Sequence, residues 1–338
     1  MAIAANEIVP YYAANRSKTD PAANGGRPAN VPVPNSVEGN VWPSLTTAQR
    51  TAGQTLAEKI CVKNRNPANA VGSGPWLTLS APNASDDIEW LVAANQDQYQ
   101  VNLTGSERRY SAARLAADAD AGATSIVLAL DAAEISDCWQ DGDSIIIYSN
   151  KAGPATTPDT NEHRSISGAP VLAGNQLTIT LNSGLSNAHS KANSATCCSL
   201  YKPAQAWKPW VANTSQSGTG SYDLASYPIK LGNLGAVRQR WTLTYTSTTQ
   251  AELSGDTLGS LGVFPINADI APINQASGTP YLTIKAGGHG AAHVAGDKLE
   301  FDSYEAAICC FWFKKTPAGA AAMPLTVSRL AAGCETVS

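Results

Sequence analysis

Three residues with metal-ligand side chains stand four positions apart: His289, His293 and Asp297. Imidazole and carboxylate groups bind zinc and related ions, and residues four apart on a strand lie on one face, so these groups could converge. The glycine-rich sequence at 287–290 instead favours a loop, and no glutamate follows the first histidine as it does in helical zinc sites. We therefore predict no metal and no other cofactor, and retain these three residues as the candidate ligands.

Four of the seven cysteines form two adjacent pairs, Cys197-Cys198 and Cys309-Cys310. Neighbouring residues on a strand point to opposite faces, so one metal could hardly use both members of a pair. The odd total and the lack of spaced C-x₂-C pairs favour reduced, buried thiols over a disulfide framework. Whether the paired cysteines bind a metal or are simply buried stays open. The other three are Cys61, Cys138 and Cys334.

Acidic residues at two places could supply paired carboxylates for polysaccharide cleavage. That hypothesis requires a common cleft lined by Asp86, Asp87, Glu89, Asp141 and Asp143. Glycosidases need two carboxyl groups at a defined separation, which a sequence does not show, so solvated acids at strand ends are the favoured interpretation. No P-loop, G-x-S-x-G or dinucleotide-binding motif occurs. We predict no catalytic residues and no enzyme activity.

An aromatic pair lies in Ala206-Trp207-Lys208-Pro209-Trp210. Exposed aromatic rings can stack on sugar rings, so this pair could belong to a carbohydrate-binding module or adhesin. Two tryptophans packed at a hinge between neighbouring β units would explain the same residues. Both interpretations stay open, because they differ in the exposure of the two indoles.

Composition excludes several classes of protein. The chain has 338 residues, of which only 15% are charged, with 27 Gly and 20 Pro, which is typical of turn-rich β structure. Its net charge of −4 and the lack of a basic patch argue against nucleic acid as a partner. No apolar run long enough to span a membrane occurs, and residues 1–7 lack the features of a signal peptide. We expect no membrane insertion and a cytoplasmic origin.

The pattern predicts a mainly β protein of several antiparallel sandwich or barrel units, divided into four segments. Residues 1–45, rich in proline, form an extended N-terminal arm, either disordered or ordered by a neighbouring subunit. Residues 46–115 form a β-rich segment that starts with a short helix at 46–60. Residues 116–200 form a small sandwich or barrel, and 201–338 form a C-terminal sandwich.

Two similar turns precede strands in the third and fourth segments. Gly142-Asp143 leads into a β-branched run, and Gly296-Asp297 leads into Lys298-Leu299-Glu300-Phe301. Aspartate side chains in such turns accept hydrogen bonds from nearby backbone amides. We interpret both aspartates as turn formers. Alternation of Trp241, Leu243 and Tyr245 with polar residues predicts the clearest half-buried strand.

Short phrases spread over most of the chain carry a resemblance. They are Asn40-Val41-Trp42-Pro43 with Ala48-Gln49-Arg50 and Ala52-Gly53, Asp86-Asp87, Leu103-Thr104-Gly105-Ser106-Glu107-Arg108, Ala121-Gly122-Ala123-Thr124-Ser125, and His293-Val294-Ala295-Gly296-Asp297 running to Pro317-Ala318-Gly319-Ala320. They resemble the tail or baseplate structural proteins of long-tailed phages, encoded in Mu-like and related transposable phage genomes. The paired cysteines are not part of this resemblance.

The resemblance implies a non-enzymatic virion protein, assembled in the host cytoplasm and present in several copies around the tail axis. Its partners would be itself, in a ring-like homo-oligomer, and tail tube, tip or fibre proteins. A carbohydrate-binding adhesin of a receptor-binding apparatus, or a head–tail connector component, is the alternative. Apolar and aromatic residues in the arm and near the predicted hinge are the candidates for subunit contacts: Tyr11, Tyr12, Val41, Trp42, Trp207 and Trp210.

Overall fold

A computed structural model describes residues 3–35, 37, 39–81, 87–149, 160–320 and 329–337. Within these residues the protein is mainly β, and its strands pair antiparallel in one sheet of six strands, one of seven, one of five and two of two. The only α-helix in them, α1, has six residues, Thr47–Ala52. The predicted fold class is therefore confirmed. None of the helices in these residues is long and apolar enough to cross a membrane.

The described strands and 3₁₀ helices are short. In chain order the strands are β1 (Ile8–Arg16), β2 (Asn24–Pro32), β3 (Gln54–Asn64), β4 (Gly72–Ala81), β5 (Ile88–Ala94), β6 (Arg109–Tyr110), β7 (Ala112–Leu115), β8 (Ser125–Ala129), β9 (Ser144–Ser149), β10 (Thr160–Ser165), β11 (Val171–Ala173), β12 (Gln176–Thr180), β13 (Thr196–Ser199), β14 (Trp210–Ser217), β15 (Gln239–Tyr245), β16 (Gln250–Gly255), β17 (Gly259–Pro265), β18 (Ile273–Asn274), β19 (Thr279–Pro280), β20 (Lys298–Tyr304), β21 (Ala307–Thr316) and β22 (Arg329–Val337). The 3₁₀ helices are Ala5–Glu7, Pro21–Ala23, Gln100–Asn102, Ala133–Cys138, Lys191–Asn193 and Ala286–Gly288.

The N-terminal segment differs from the predicted extended arm. Strands β1 and β2 form a hairpin, and β1 also pairs with β3, so both belong to the first sheet, whose order is β2-β1-β3-β21-β5-β6. The outer strand β2 carries Pro28 and Pro32. An edge strand tolerates proline, because the missing N–H can lie on the side without a partner. The prolines therefore mark an edge of the sheet.

The predicted helix at 46–60 is much shorter in the structure. Thr46 caps α1 by accepting a hydrogen bond from the Gln49 N–H, and the Gln49 side chain accepts from the Thr46 N–H in return. Gly53 has φ +75°, a conformation that favours glycine, and ends the helix there. Strand β3 follows and is buried on both faces, which is why its sequence shows no alternation of apolar and polar residues.

The second and third sheets follow the predicted strands. The second has the order β10-β9-β13-β7-β8-β12-β11, and the third has the order β14-β20-β15-β16-β17. Within the predicted third segment, short apolar runs at 125–130, 144–149 and 176–181 form β8, β9 and β12. In β15 the predicted alternation is observed, with Trp241, Leu243 and Tyr245 fully buried.

Strand pairing crosses the predicted segments. Strand β21, from the predicted C-terminal segment, lies in the first sheet between β3 and β5. Strand β22 pairs with β4, from the predicted second segment. Sequence patterns identify strands but not their distant partners, so the four-segment division remains a prediction about domains.

Cysteine pairing differs from the reduced thiols that the sequence favoured. Cys61 on β3 and Cys309 on β21 are direct cross-strand partners and form a buried disulfide. Cys310 lies on the opposite face of β21, in the apolar cluster that also contains Cys198. Cys197 packs in the core of the second sheet. The members of each pair thus point to opposite faces, as strand alternation requires.

Candidate functional site

A cleft of about 740 Å³ lies beside the edge of the first sheet formed by β5 and β6. Its walls combine aromatic, apolar and charged side chains. The lining residues are Pro21, Trp90, Val92, Gln100, Val101, Leu103, Gly105, Ser106, Glu107, Arg109, Asp137 and Phe313. They come from β5, β6, β21, the 3₁₀ helices Pro21–Ala23, Gln100–Asn102 and Ala133–Cys138, and the loop that follows Gln100–Asn102.

The floor of the cleft is aromatic. Trp90 on β5 and Phe313 on β21 are direct cross-strand partners. Their rings are parallel within 5°, with centroids 5.3 Å apart, and both side chains are only half-buried. Directly opposed side chains on one face of an antiparallel pair stand close enough to stack. Sheet register therefore builds a flat apolar surface that remains partly open.

An ion pair forms one wall of the cleft. Arg109 on β6 donates from Nε and Nη2 to the two carboxylate oxygens of Asp137, at 2.9 and 2.7 Å. Its guanidinium carbon lies 5.5 Å from the centroid of a Trp90 ring, within range of a cation–π contact. Burial opposes the charged form, but the hydrogen bonds and charge of Asp137 outweigh it and raise the pKa of Arg109. The fork therefore stays charged and fixed beside the aromatic floor.

Glu107 supplies a second carboxylate on the rim. It accepts hydrogen bonds from the backbone N–H and the hydroxyl of Thr104 and from the N–H of Gly105. The bond from the Thr104 N–H is the largest cause of a lowered pKa at Glu107. This carboxylate therefore stays ionised at neutral pH and orders the loop that borders the cleft.

A buried lysine fixes the layer that covers the rest of this sheet face. The Lys59 ammonium donates to the carbonyl oxygens of Gly26, Gln96 and Gln98, at 2.6, 3.1 and 2.9 Å. Burial lowers the pKa of Lys59 to about 7, while three carbonyl acceptors satisfy all three donors of the ammonium form. The covering chain is thus tied to β3, and the aromatic pair remains open where the cover ends.

The candidate metal ligands lie close together beside the third sheet, with the His289 and His293 ring centroids 6.0 Å apart and His293 Nδ1 3.7 Å from Asp297 Oδ2. The His293 ring stacks on Tyr245, with centroids 3.6 Å apart, and the Tyr245 hydroxyl lies 2.8 Å from His289 Nδ1. Burial lowers the pKa of His289 to about 4 and is also the main cause of a lowered pKa at His293. Both imidazoles are therefore neutral at neutral pH, and aromatic packing is their main environment.

Asp297 has a different role from the two histidines. Its carboxylate accepts N–H bonds from Thr219, Gly220 and Val294, at 2.9, 2.8 and 3.0 Å, and these bonds lower its pKa. The side chain thus acts as the turn former that the sequence suggested. In the described part of the chain, no three His, Cys, Asp or Glu side chains are arranged to hold a metal ion.

Most of the candidate subunit-contact residues are buried within this chain. Tyr11, Tyr12, Val41 and Trp207 are each less than a tenth exposed, so little of their surface remains for another subunit. Trp42 is half-buried and packs edge-to-face against Trp312.

Trp207 and Trp210 do not form a sugar platform together. Trp207 is 1% exposed, and its indole N–H donates to the Val62 carbonyl at 3.3 Å. Trp210 is half-buried and stacks on Tyr304. The predicted pair is therefore split between a core and a separate sheet edge.

The candidate catalytic carboxylates are engaged in structural contacts. Asp87 accepts from the Thr316 hydroxyl at 2.6 Å, and Glu89 accepts from the Trp312 indole at 3.2 Å, both in buried positions. Asp141 accepts from the Gly168 N–H. Asp143 accepts from the Gln140 N–H and pairs with Arg108. Asp86 lies outside the described residues.

A buried Ser–His–Glu network lies in the second sheet, and no sequence motif indicated it. Ser149 Oγ lies 2.8 Å from His189 Nδ1, and His189 Nε2 lies 2.8 Å from Glu162 Oε1. The order of groups is that of a serine hydrolase triad, but the ring nitrogens are exchanged, because a triad serine faces Nε2 and the carboxylate faces Nδ1. All three side chains are buried, however, and Glu162 also accepts N–H bonds from Ser186 and Asn187. The network joins β9, β10 and the loop between β12 and the 3₁₀ helix Lys191–Asn193, and its burial keeps substrates from the hydroxyl.

Comparisons with known proteins add little. No protein-family model matches the chain, and no curated protein matches it. Among solved structures, it is similar to the Gp54 tailspike of Acinetobacter baumannii bacteriophage AP22, determined in complex with A. baumannii capsular saccharide, at 16% identity. The match covers 26% of this chain and 14% of the tailspike, with a TM-score of 0.20. A likeness of this size supports no inference about the function.

Proposed function

We propose that this protein binds carbohydrate through the cleft at Trp90 and Phe313, as a non-enzymatic component of a phage receptor-binding apparatus. The observation that carries this proposal is the parallel, partly open aromatic pair beside the Arg109–Asp137 fork. The aromatic residues proposed to bind the sugar are therefore Trp90 and Phe313, in place of Trp207 and Trp210.

The chemistry of a sugar ring matches this arrangement. One face of a pyranose presents C–H groups, which pack on aromatic rings and remove apolar surface from water. Its edge presents hydroxyl groups, which both donate and accept hydrogen bonds. The Arg109–Asp137 fork offers donors and acceptors side by side at the border of the aromatic floor, and Gln100 and Ser106 add further polar groups.

The state of the cleft carboxylates favours binding over hydrolysis. Glycoside hydrolysis requires one carboxylic acid with a raised pKa that protonates the leaving group. The pKa of Glu107 is instead lowered by backbone N–H bonds, and Asp137 is paired with Arg109. Glu107 therefore lacks the environment of a general acid, and the Asp137 carboxylate is engaged by Arg109.

The placement in a phage tail is supported by the short sequence phrases described above. A multi-copy tail or baseplate component that contacts tube, tip or fibre proteins remains a prediction. The outer strands β11 and β17 expose Val171 and Val263, and edge strands with exposed apolar residues are sites of self-association. Light scattering on the purified chain tests this: a ring-like oligomer supports the prediction, and a strict monomer at high concentration contradicts it.

A glycan array followed by calorimetry on the full chain tests the carbohydrate-binding proposal. We expect binding to fall by about tenfold or more in Trp90→Ala, because burial of an apolar side chain contributes on the order of 1.5–3 kcal/mol. Trp210→Ala is the matched control, since Trp210 is also half-buried and stacks on a cross-strand aromatic partner. Equal losses in both variants, or silence of the intact protein on the array, would contradict the proposal.

A further inference from the structure

The cationic group of the cleft is already neutralised. Arg109 is the only cation among the described residues that line the cleft, and its fork is occupied by both oxygens of Asp137. Its Nη2 also donates to the backbone carbonyl of Glu134. An anionic ligand would have to displace a carboxylate that is held by two charge-assisted hydrogen bonds.

Neighbouring cations are occupied as well. Lys315 on β21 donates to both carboxylate oxygens of Glu134, at 2.8 and 2.6 Å. Arg108 pairs with Asp143 and donates to the Cys138 carbonyl. Each of these charges has a partner within the chain, so none adds a free positive charge to the cleft.

The carboxylate of Glu107 leaves the lining with excess negative charge. Two carboxylates, Glu107 and Asp137, stand against one guanidinium, Arg109. The hydrogen bonds from the Thr104–Gly105 turn hold Glu107 in its ionised form. An approaching carboxylate or sulfate therefore meets like charge at the rim, whereas a hydroxyl group finds acceptors there.

We propose that the cleft selects neutral saccharides and rejects acidic ones, with Glu107 and the Arg109–Asp137 pair as the specificity determinants. This inference rests on the proposed carbohydrate binding. A neutral pyranose stacks on Trp90 and Phe313 and exchanges hydroxyl hydrogen bonds with the rim, while a uronic acid adds a negative charge for which the described lining holds no unpaired cation.

Matched pairs of glycans that differ only in charge test this selection. Oligosaccharides of hyaluronan, alginate and pectate are compared with the same oligosaccharides after reduction of their carboxyl groups, by calorimetry on the full chain. We expect Trp90-dependent binding that is about tenfold or more tighter for reduced forms at low salt. The difference should shrink at high salt, because screening weakens repulsion between exposed charges.

Three outcomes separate this inference from the function on which it rests. Acidic forms that bind as tightly as the reduced forms, with binding lost in Trp90→Ala, overturn the neutral selection and leave carbohydrate binding in place. If no glycan of either series shows Trp90-dependent binding, both the proposed carbohydrate binding and the proposed selection of neutral saccharides are overturned. Preference for the reduced forms supports both.

The variant Glu107→Gln tests whether the Glu107 carboxylate causes the preference for reduced over acidic saccharides. We expect the variant to narrow the difference between acidic and reduced forms several-fold, because it removes the excess negative charge. Glu252→Gln, on β16 of the third sheet, is the control and should leave the difference unchanged. An unchanged difference in Glu107→Gln would show that charge at this rim does not set the selection. Thermal unfolding of each variant checks that it is folded.

Discussion

Two parallel aromatic pairs in this protein have nearly the same geometry and different surroundings. Trp90 and Phe313 are cross-strand partners in the first sheet, with ring centroids 5.3 Å apart. Trp210 and Tyr304 are cross-strand partners in the third sheet, with centroids 4.7 Å apart. All four side chains are half-buried. Stacking therefore follows from register in both sheets and does not by itself distinguish a binding site.

The arginines beside the two pairs do distinguish them. The guanidinium of Arg238 lies 4.3 Å from the centroid of Tyr304 and is buried by its ion pairs with Asp97 and Asp302. Arg238 thus covers one face of the Tyr304 ring. Arg109 also lies over a ring of its pair, but at 5.5 Å from the Trp90 centroid, and both Trp90 and Phe313 line the cleft. The comparison teaches that the surroundings of an aromatic pair, more than its ring geometry, distinguish a candidate binding site.

Removing the second ring of each pair should give the largest difference in saccharide affinity between the two pairs. We expect Phe313→Ala to weaken saccharide binding by about tenfold, because half of the apolar floor is lost. Tyr304→Ala should leave the affinity unchanged, since the cleft is elsewhere. Calorimetry with a glycan that binds the intact protein measures both. A comparable loss in Tyr304→Ala would show that the two pairs are not functionally distinct.

Replacing the arginine beside each pair by lysine should have a smaller effect on saccharide binding. Lys keeps the charge of Arg but loses the planar fork, so we expect Arg109→Lys to weaken binding by roughly threefold. Arg238→Lys should preserve binding and lower the thermal stability, because Arg238 bridges two buried or partly buried carboxylates. The reverse pattern, with binding lost only in Arg238→Lys, would contradict the assignment of the cleft.

Acidification should lower the stability of the protein through His289 and leave saccharide binding in the cleft unchanged. His289 has a pKa of about 4 in the folded protein against an ordinary value of 6.5, so the unfolded chain binds more protons between these values. The stability that the neutral imidazole of His289 contributes is fully present above about pH 6.5 and is lost progressively as the pH falls toward 4. We expect the thermal midpoint to fall over this range in the wild type and to fall less in His289→Gln.

Saccharide binding should stay within about twofold between pH 5 and 8, since Glu107 has a lowered and Arg109 a raised pKa and neither titrates there. Calorimetry at several pH values measures this. A steep change in affinity across the range, in protein that remains folded, would contradict the assignment of these two charged groups to the site.

Local sequence patterns predicted much of the fold. Alternation identified β15, and the apolar runs identified β8, β9 and β12. The predicted helix at 46–60 is cut short because Gly53, with its positive φ, ends it. The N-terminal hairpin was missed because prolines on an edge strand look the same in sequence as prolines in an extended arm.

The cleft could not be predicted, because its parts are far apart in the chain. Trp90 and Phe313 lie on different strands, and only the pairing of β5 with β21 brings them together. Their spacing in sequence carries no signal of that pairing. The group that did carry a local signal, His289 and His293, proved to be neutral imidazoles packed on an aromatic ring.

Tryptophan indole N–H resonances test the central claim most directly. The full chain is labelled with ¹⁵N at its eight tryptophans, and Trp90→Phe and Trp210→Phe assign the two relevant signals. On titration with a neutral oligosaccharide that binds on the array, we expect the Trp90 signal to shift and saturate while the Trp210 signal stays in place. A Trp90 signal that does not move while the oligosaccharide binds, or a saturating shift of Trp210 instead, would contradict the account.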